Sequence, residues 1–306
     1  MRVKLHHLSW TVTVLVGIQM VLAGLIVGEN AGFVCPNWPL CGHPLQDNMS
    51  LVFELSHRIA AVVLGVLSLW LFLWILKAYR GNKQMVQTVS FAIISLLVQI
   101  IYAGMIVLFV LPGVATTVDV VNSVTMLSLF VHLSNLATKQ SRLVNAPLPQ
   151  ISSTDSVMKR RAWMLYLAGL LTVALGAVFR HSGASQELFG EDSYLLSHGQ
   201  HVPPSQGVSE ALLIIHVGST LLLLLSCILF IMSSLLNQFL VKTSLMITVL
   251  LGIQITLGIL SLMSKLQLFI VTLHWGAAAL FMGCCAYALS KTYIIHSLRH
   301  SSTHPD

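Results

Sequence analysis

Eight apolar stretches organise this chain, at residues 9–28, 51–76, 87–110, 115–137, 162–179, 209–236, 243–263 and 268–290. Each is long enough to cross ~30 Å of hydrocarbon as a helix, and in lipid only helices and closed barrels satisfy their own backbone. The pattern predicts an all-α integral membrane protein of eight transmembrane helices. Composition agrees, since 56% of the 306 residues are hydrophobic and only 8% charged, against about 25% charged in a soluble domain. So little polar surface cannot cover a water-exposed globule. The net charge of +6 does not point to nucleic acid, because Lys and Arg sit in short segments between apolar runs rather than in a basic stripe interleaved with aromatics. The first run follows Arg2 and Lys4 and lacks a small-residue cleavage site, so it is expected to stay as a helix.

An even number of spans puts both termini on one side. With the N-terminus inside, 13 of the 16 Lys and Arg fall on inner segments, leaving Arg58, Arg180 and Lys265 toward the outside. The positive-inside rule therefore favours an N-in, C-in topology. Two long loops, about 29–50 and 180–208, then face outward, each after the first helix of a four-helix set. His57 and His216 stand 159 residues apart at matching places behind these loops. A parallel repeat of two pseudo-symmetric four-helix bundles is expected: residues 1–140, a cytoplasmic linker 141–160 with Pro147 and Pro149, residues 161–295, and a tail 296–306.

Ionisable groups inside spans are costly and usually mark function. Glu54 and His57 lie on the second span, Asp119 on the fourth, His216 on the sixth and His274 on the eighth, all near the outer ends; His132 lies near an inner end. His216 and His274, each two residues before a glycine (Gly218, Gly276), could ligate one haem iron axially, the glycines making room for the macrocycle. The plainer alternative is a histidine bonded to a carbonyl or hydroxyl of another helix. Glu54 and His57 share a helix face and suit a metal site, an acid–base pair or an ion pair with Arg58. Where the repeat calls for a counterpart of His274, Asp119 and Asn122 stand instead. Cys35 and Cys41 face the oxidising side, where a disulfide can form; such a pair is most often a loop staple. Cys227, Cys284 and Cys285 lie in apolar runs and read as packing residues.

These residues resemble the heme A synthase family. The run from Gly24 to Gly42, with Cys35-Pro36-Asn37-Trp38-Pro39-Leu40-Cys41, is similar to the family's first outer loop. Glu54-Leu55-Ser56-His57-Arg58 is similar to its E-x-x-H-R, and Phe179-Arg180-His181-Ser182 to its V-R-H-T. The resemblance, over nearly the whole chain, implies a bacterial cytoplasmic membrane enzyme that converts haem O to haem A. The C8 methyl is hydroxylated twice, and the gem-diol loses water to give a formyl group. It also implies haem b between His216 and His274, substrate haem O anchored by His57 in the first bundle, Glu54 as a catalytic group and a Cys35–Cys41 disulfide. A haem O synthase, cytochrome oxidase assembly, an electron donor of unknown kind and the lipid bilayer are the implied partners, with a homo-oligomer left open.

The sequence departs from the family twice. The second outer loop has no cysteine pair, and the fourth-span histidine of the first bundle is absent. With His57 alone, the substrate iron would be five-coordinate or take Asp119 or water as sixth ligand, and a hard carboxylate favours ferric iron. A haem b membrane cytochrome, or a haem-handling assembly factor without synthase activity, is the competing reading. A repeat-built transporter fits less well, because the histidines sit at one membrane face rather than at the midplane.

Overall fold

A computed structural model of the chain describes residues 4–28, 31–44, 49–109, 111, 113–142, 155–190 and 203–303. Among the described residues there are nine α-helices and no strand: α1 (Leu5–Gly28), α2 (Met49–Ala78), α3 (Lys83–Phe109), α4 (Gly113–Arg142), α5 (Asp155–His181), α6 (Ala184–Phe189), α7 (Gln206–Asn237), α8 (Val241–Met263) and α9 (Leu268–Thr303). A 3-10 turn, Ala31–Phe33, follows α1. All but α6 are long and apolar enough to cross a membrane, in agreement with the eight predicted spans.

Two helices outrun their apolar stretches by the widest margin. α5 starts at Asp155 rather than near 162, and α9 continues past 290 to Thr303. Beyond the hydrocarbon, good helix formers such as Lys159, Arg160 and Arg161 carry the helix on. Arg161 also reaches α7, donating to the Leu229 carbonyl at 3.1 Å and to Ser233. The six residues of α6 are too few to show a hydrophobic period, so hydropathy does not predict that helix. Arg2, Pro147 and Pro149, with the rest of 143–154, and positions 191–202 of the second long loop lie outside the described residues.

In the first half α1 packs on α2 and α4, and α3 on the same two; in the second, α5 packs on α7 and α9, and α8 on the same two. α1 and α4 meet α9, and α4 meets α5. Lipid offers apolar side chains as good a partner as another helix does, so close backbone approach and interhelical hydrogen bonds decide such seams. Thr13 of α1 and Ser134 of α4 share a 2.9 Å hydrogen bond, and the Tyr166 hydroxyl of α5 donates to Ser128 of α4 at 2.8 Å. The Trp275 indole of α9 donates to the Met20 carbonyl at 2.6 Å. Its ring lies on Gly24, where a Cβ would come within 2.7 Å. Ile59, Val62, Val66 and Leu69 of α2 remain exposed at helical spacing, a stripe for the lipid to cover. The ends of α1, α3, α5 and α8 meet the starts of α2, α4, α7 and α9, together with the 31–44 loop, at one pole of the protein.

Candidate functional site

His216, ten residues into α7, is seated by one face of α5. Thr172, Gly176 and Phe179 recur at i, i+4 and i+7 on that helix, the spacing of a single stripe. Thr172 donates to the Ser219 carbonyl at 3.1 Å. A Cβ on Gly176 would stand 2.7 Å from His216 Cε1, so only glycine admits the ring there. Phe179 stacks on the imidazole with centroids 6.4 Å apart and an interplanar angle of 15°. Ser219 and Thr220 both donate back to the His216 carbonyl, at 2.6 and 3.1 Å.

α9 presents His274 to α8 in a similar way. A Cβ on Gly258 would lie 3.2 Å from His274 Cε1, and the Gln254 amide, one turn before that glycine, approaches His274 Nε2 at 3.4 Å. The two imidazoles stand on α7 and α9, two helices that both α5 and α8 contact. Each has a buried Nδ1 with no hydrogen-bond partner, an uncommon state for an ordinary structural histidine. His132 shows the ordinary state, with Nδ1 on the Ser290 hydroxyl at 2.8 Å, Nε2 near Gln84 at 3.4 Å and the ring edge-on to Tyr293.

The glycines against the imidazoles are thus Gly176 and Gly258, on neighbouring helices. Those two residues after each histidine do other things: Gly218 faces open space and Gly276 lies against Val21 of α1. One signal for Gly176 was present in the sequence, because Gly17 and Gly176 are separated by the same 159 residues as His57 and His216. The halves differ here, however, since a Cβ on Gly17 would meet nothing within 4 Å.

In the first half α2 carries Glu54, which is buried, and His57, half-buried. The His57 carbonyl accepts from Gln19 of α1 at 3.2 Å. Glu54 is ion-paired to Arg58, Nε to Oε1 at 2.7 Å; removing one partner of a buried pair typically costs about 3–5 kcal/mol. Arg58 also donates to carbonyls of the loop closed by the Cys35–Cys41 disulfide. On α4, Asp119 accepts from Gln99 of α3 at 2.6 Å, and Asn122 donates to Gln99 Oε1 at 2.6 Å while bonding Ser95. The Gln99–Asp119 pair repeats the Gln254–His274 pair: the members are 20 residues apart in each, and the pairs lie 155 residues apart in the chain. Asp119 thus meets a glutamine of the preceding helix at the same spacing as His274 does.

Among the described residues no group of three or more His, Cys, Asp or Glu comes together. A haem iron asks for at most two protein ligands, because the macrocycle supplies four, and paired imidazoles with glycine-cleared surroundings suit that demand. No protein-family profile matches the chain. Three curated relatives are named heme A synthase: from Exiguobacterium sibiricum, 25% identical over 61% of this chain and 63% of that protein; from Shouchella clausii, 28% identical over 70% and 72%; and from Geobacillus kaustophilus, 26% identical over 59% and 58%. The chain is thus similar, at 25–28% identity, to proteins named heme A synthase. It is a heme A synthase-like, multi-pass protein of the bacterial cell membrane. The match spans less than two thirds of the Exiguobacterium and Geobacillus proteins.

Proposed function

We propose that this heme A synthase-like chain is a membrane oxidoreductase that converts haem O to haem A by oxidising the substrate's C8 methyl to a formyl group, a four-electron step that draws its oxidant and its oxygen atom from outside the chain. One observation carries the reading. His216 and His274 stand against Gly176 and Gly258 of neighbouring helices, and each keeps a buried nitrogen that the protein leaves unsatisfied. The similarity to heme A synthases supplies the reaction.

His216 and His274 would hold haem b, which would supply one-electron transfer. Phe179 and Gly176 fix the plane of one ligand ring, and Gly258 with Gln254 fix the other. His57 anchors the substrate iron from α2. Glu54, on the same face of α2, takes up protons or stabilises positive charge developing at the reacting carbon. The pole with the Cys35–Cys41 loop faces outward and the Lys/Arg-rich pole faces the cytoplasm. Haem O arrives from a haem O synthase, and the product serves cytochrome oxidase assembly.

A second reading, a haem b cytochrome or haem-handling assembly factor without synthase activity, is favoured by Asp119 standing where a second first-half histidine would be. Co-expression with a haem O synthase, followed by chromatography of the extracted haems, separates the two. Haem A or its hydroxymethyl precursor is expected; haem b alone would sink the synthase reading in favour of the second.

The glycines give an independent check. Gly176→Ala is expected to lower the haem b content of the purified protein more than Gly258→Ala, because the new Cβ would stand 2.7 Å from His216 in one case and 3.2 Å from His274 in the other. Haem-to-protein ratios measure this. Full retention in Gly176→Ala would show that His216 does not hold the group from this position.

A further inference from the structure

The structure assigns to Arg58 a positioning role: it couples the Glu54 carboxylate to the Cys35–Cys41 loop, so that each holds the other in place. The guanidinium sits between them with its side chain 14% exposed, and that of Glu54 is 6% exposed. Arg58 Nε donates to Glu54 Oε1 at 2.7 Å. Nη1 donates to the carbonyls of Asn37 and Pro39 at 2.7 and 3.0 Å, and Nη2 to that of Cys35 at 3.2 Å. Three carbonyls of one small disulfide loop thus converge on a single cation. Only a planar fork of donors can serve them together with a carboxylate, and a lysine ammonium on a flexible stem cannot reproduce that geometry.

The loop has a second attachment. Trp38, at its tip, lies on Gly104 of α3, where a Cβ would come within 3.0–3.2 Å of the indole. The loop is therefore fastened to α2 through Arg58 and to α3 through Trp38, at the pole where Glu54 and His57 stand. A largely buried guanidinium needs a counter-charge, and Glu54 provides it. Without that charge Arg58 is better solvated than buried, and its grip on the three carbonyls weakens. Glu54 thus acts on the loop through Arg58, and a disturbance of the loop returns to Glu54 along the same path. The Trp38 attachment is separate from this coupling.

Reduction of the disulfide reads the coupling directly. The full-length protein in detergent is treated with a water-soluble phosphine, and the thiols released at Cys35 and Cys41 are alkylated and located by peptide mass, which separates them from Cys227, Cys284 and Cys285. Arg58→Gln is expected to speed reduction about tenfold, the scale of a lost charge-assisted contact, and Arg58→Lys by less. Glu54→Gln speeds it several-fold alone, adds nothing in the Arg58→Gln background, and multiplies fully with Trp38→Ala. Wild-type rates in both Arg58 variants would overturn the assignment, as would Glu54→Gln multiplying with Arg58→Gln. If Arg58→Gln does not fold, the Arg58→Lys and Trp38→Ala backgrounds decide: Glu54→Gln must lose much of its effect in the first and none in the second. These rates do not depend on haem, so they stand whether or not the proposed reaction does.

Discussion

Replacing His216 or His274 with alanine is expected to abolish the low-spin haem b spectrum of the purified, full-length protein. Two imidazoles give the iron a strong axial field; one leaves it five-coordinate or bound to water, and high-spin. Neither substitution should unfold the chain, because neither ring is deeply tied into the protein's own hydrogen bonding. His216 loses its stack on Phe179, and His274 loses a long contact from Gln254. His132→Ala is the control. It leaves Ser290, 3% exposed, without its 2.8 Å partner, which costs about 1–3 kcal/mol, yet the haem spectrum should persist. Melting temperature should therefore fall in His132→Ala with the spectrum intact, and the spectrum should change in the other two with little loss of stability. A low-spin spectrum that survives both His216→Ala and His274→Ala would refute the ligand assignment.

The parts of this protein that were legible in its sequence are those for which lipid leaves few alternatives. An apolar run of 20 residues has to be a helix in a bilayer, so the eight spans are readable from the sequence alone. The histidines and Glu54 stood out because such groups are scarce inside spans. What was not legible depends on how helices rotate against each other. Many small residues line these helices, and nothing local marks Gly176 and Gly258 as the ones beneath an imidazole; the nearer Gly218 and Gly276 are turned elsewhere. The grip of Arg58 on the loop was invisible for another reason, since backbone carbonyls leave no residue-type signature. Only its i, i+4 pairing with Glu54 could be read. The Gln99–Asp119 and Gln254–His274 correspondence lies between these cases. The repeat puts Asp119 and Asn122 where a counterpart of His274 is called for; both meet Gln99, and only Asp119 does so at the 20-residue spacing of the Gln254–His274 pair.

That correspondence yields the second large effect. Asp119→His is expected to give the first half a nitrogen ligand opposite His57 and to create a second low-spin haem in protein loaded with haem O. In the wild type the Asp119 carboxylate is engaged by Gln99 at 2.6 Å, and a carboxylate facing the iron is a hard ligand that favours the ferric state. An imidazole at the same position meets Gln99 as His274 meets Gln254, so the neighbouring glutamine needs no rearrangement of the helix pair to accept it. Asp119→Asn separates the loss of charge from the gain of a ligand: it keeps the side-chain shape and the Gln99 contact but adds no imidazole, and should leave the haem O signal high-spin. The measurement is the number of low-spin haems per chain, by absorption and electron paramagnetic resonance, rising from one to two in Asp119→His alone. His57→Ala on top of Asp119→His must return it to one, because the new ligand works only in partnership. If Asp119→His leaves the count at one, α4 does not face the iron held by His57, and the first half binds its haem in some other way or not at all.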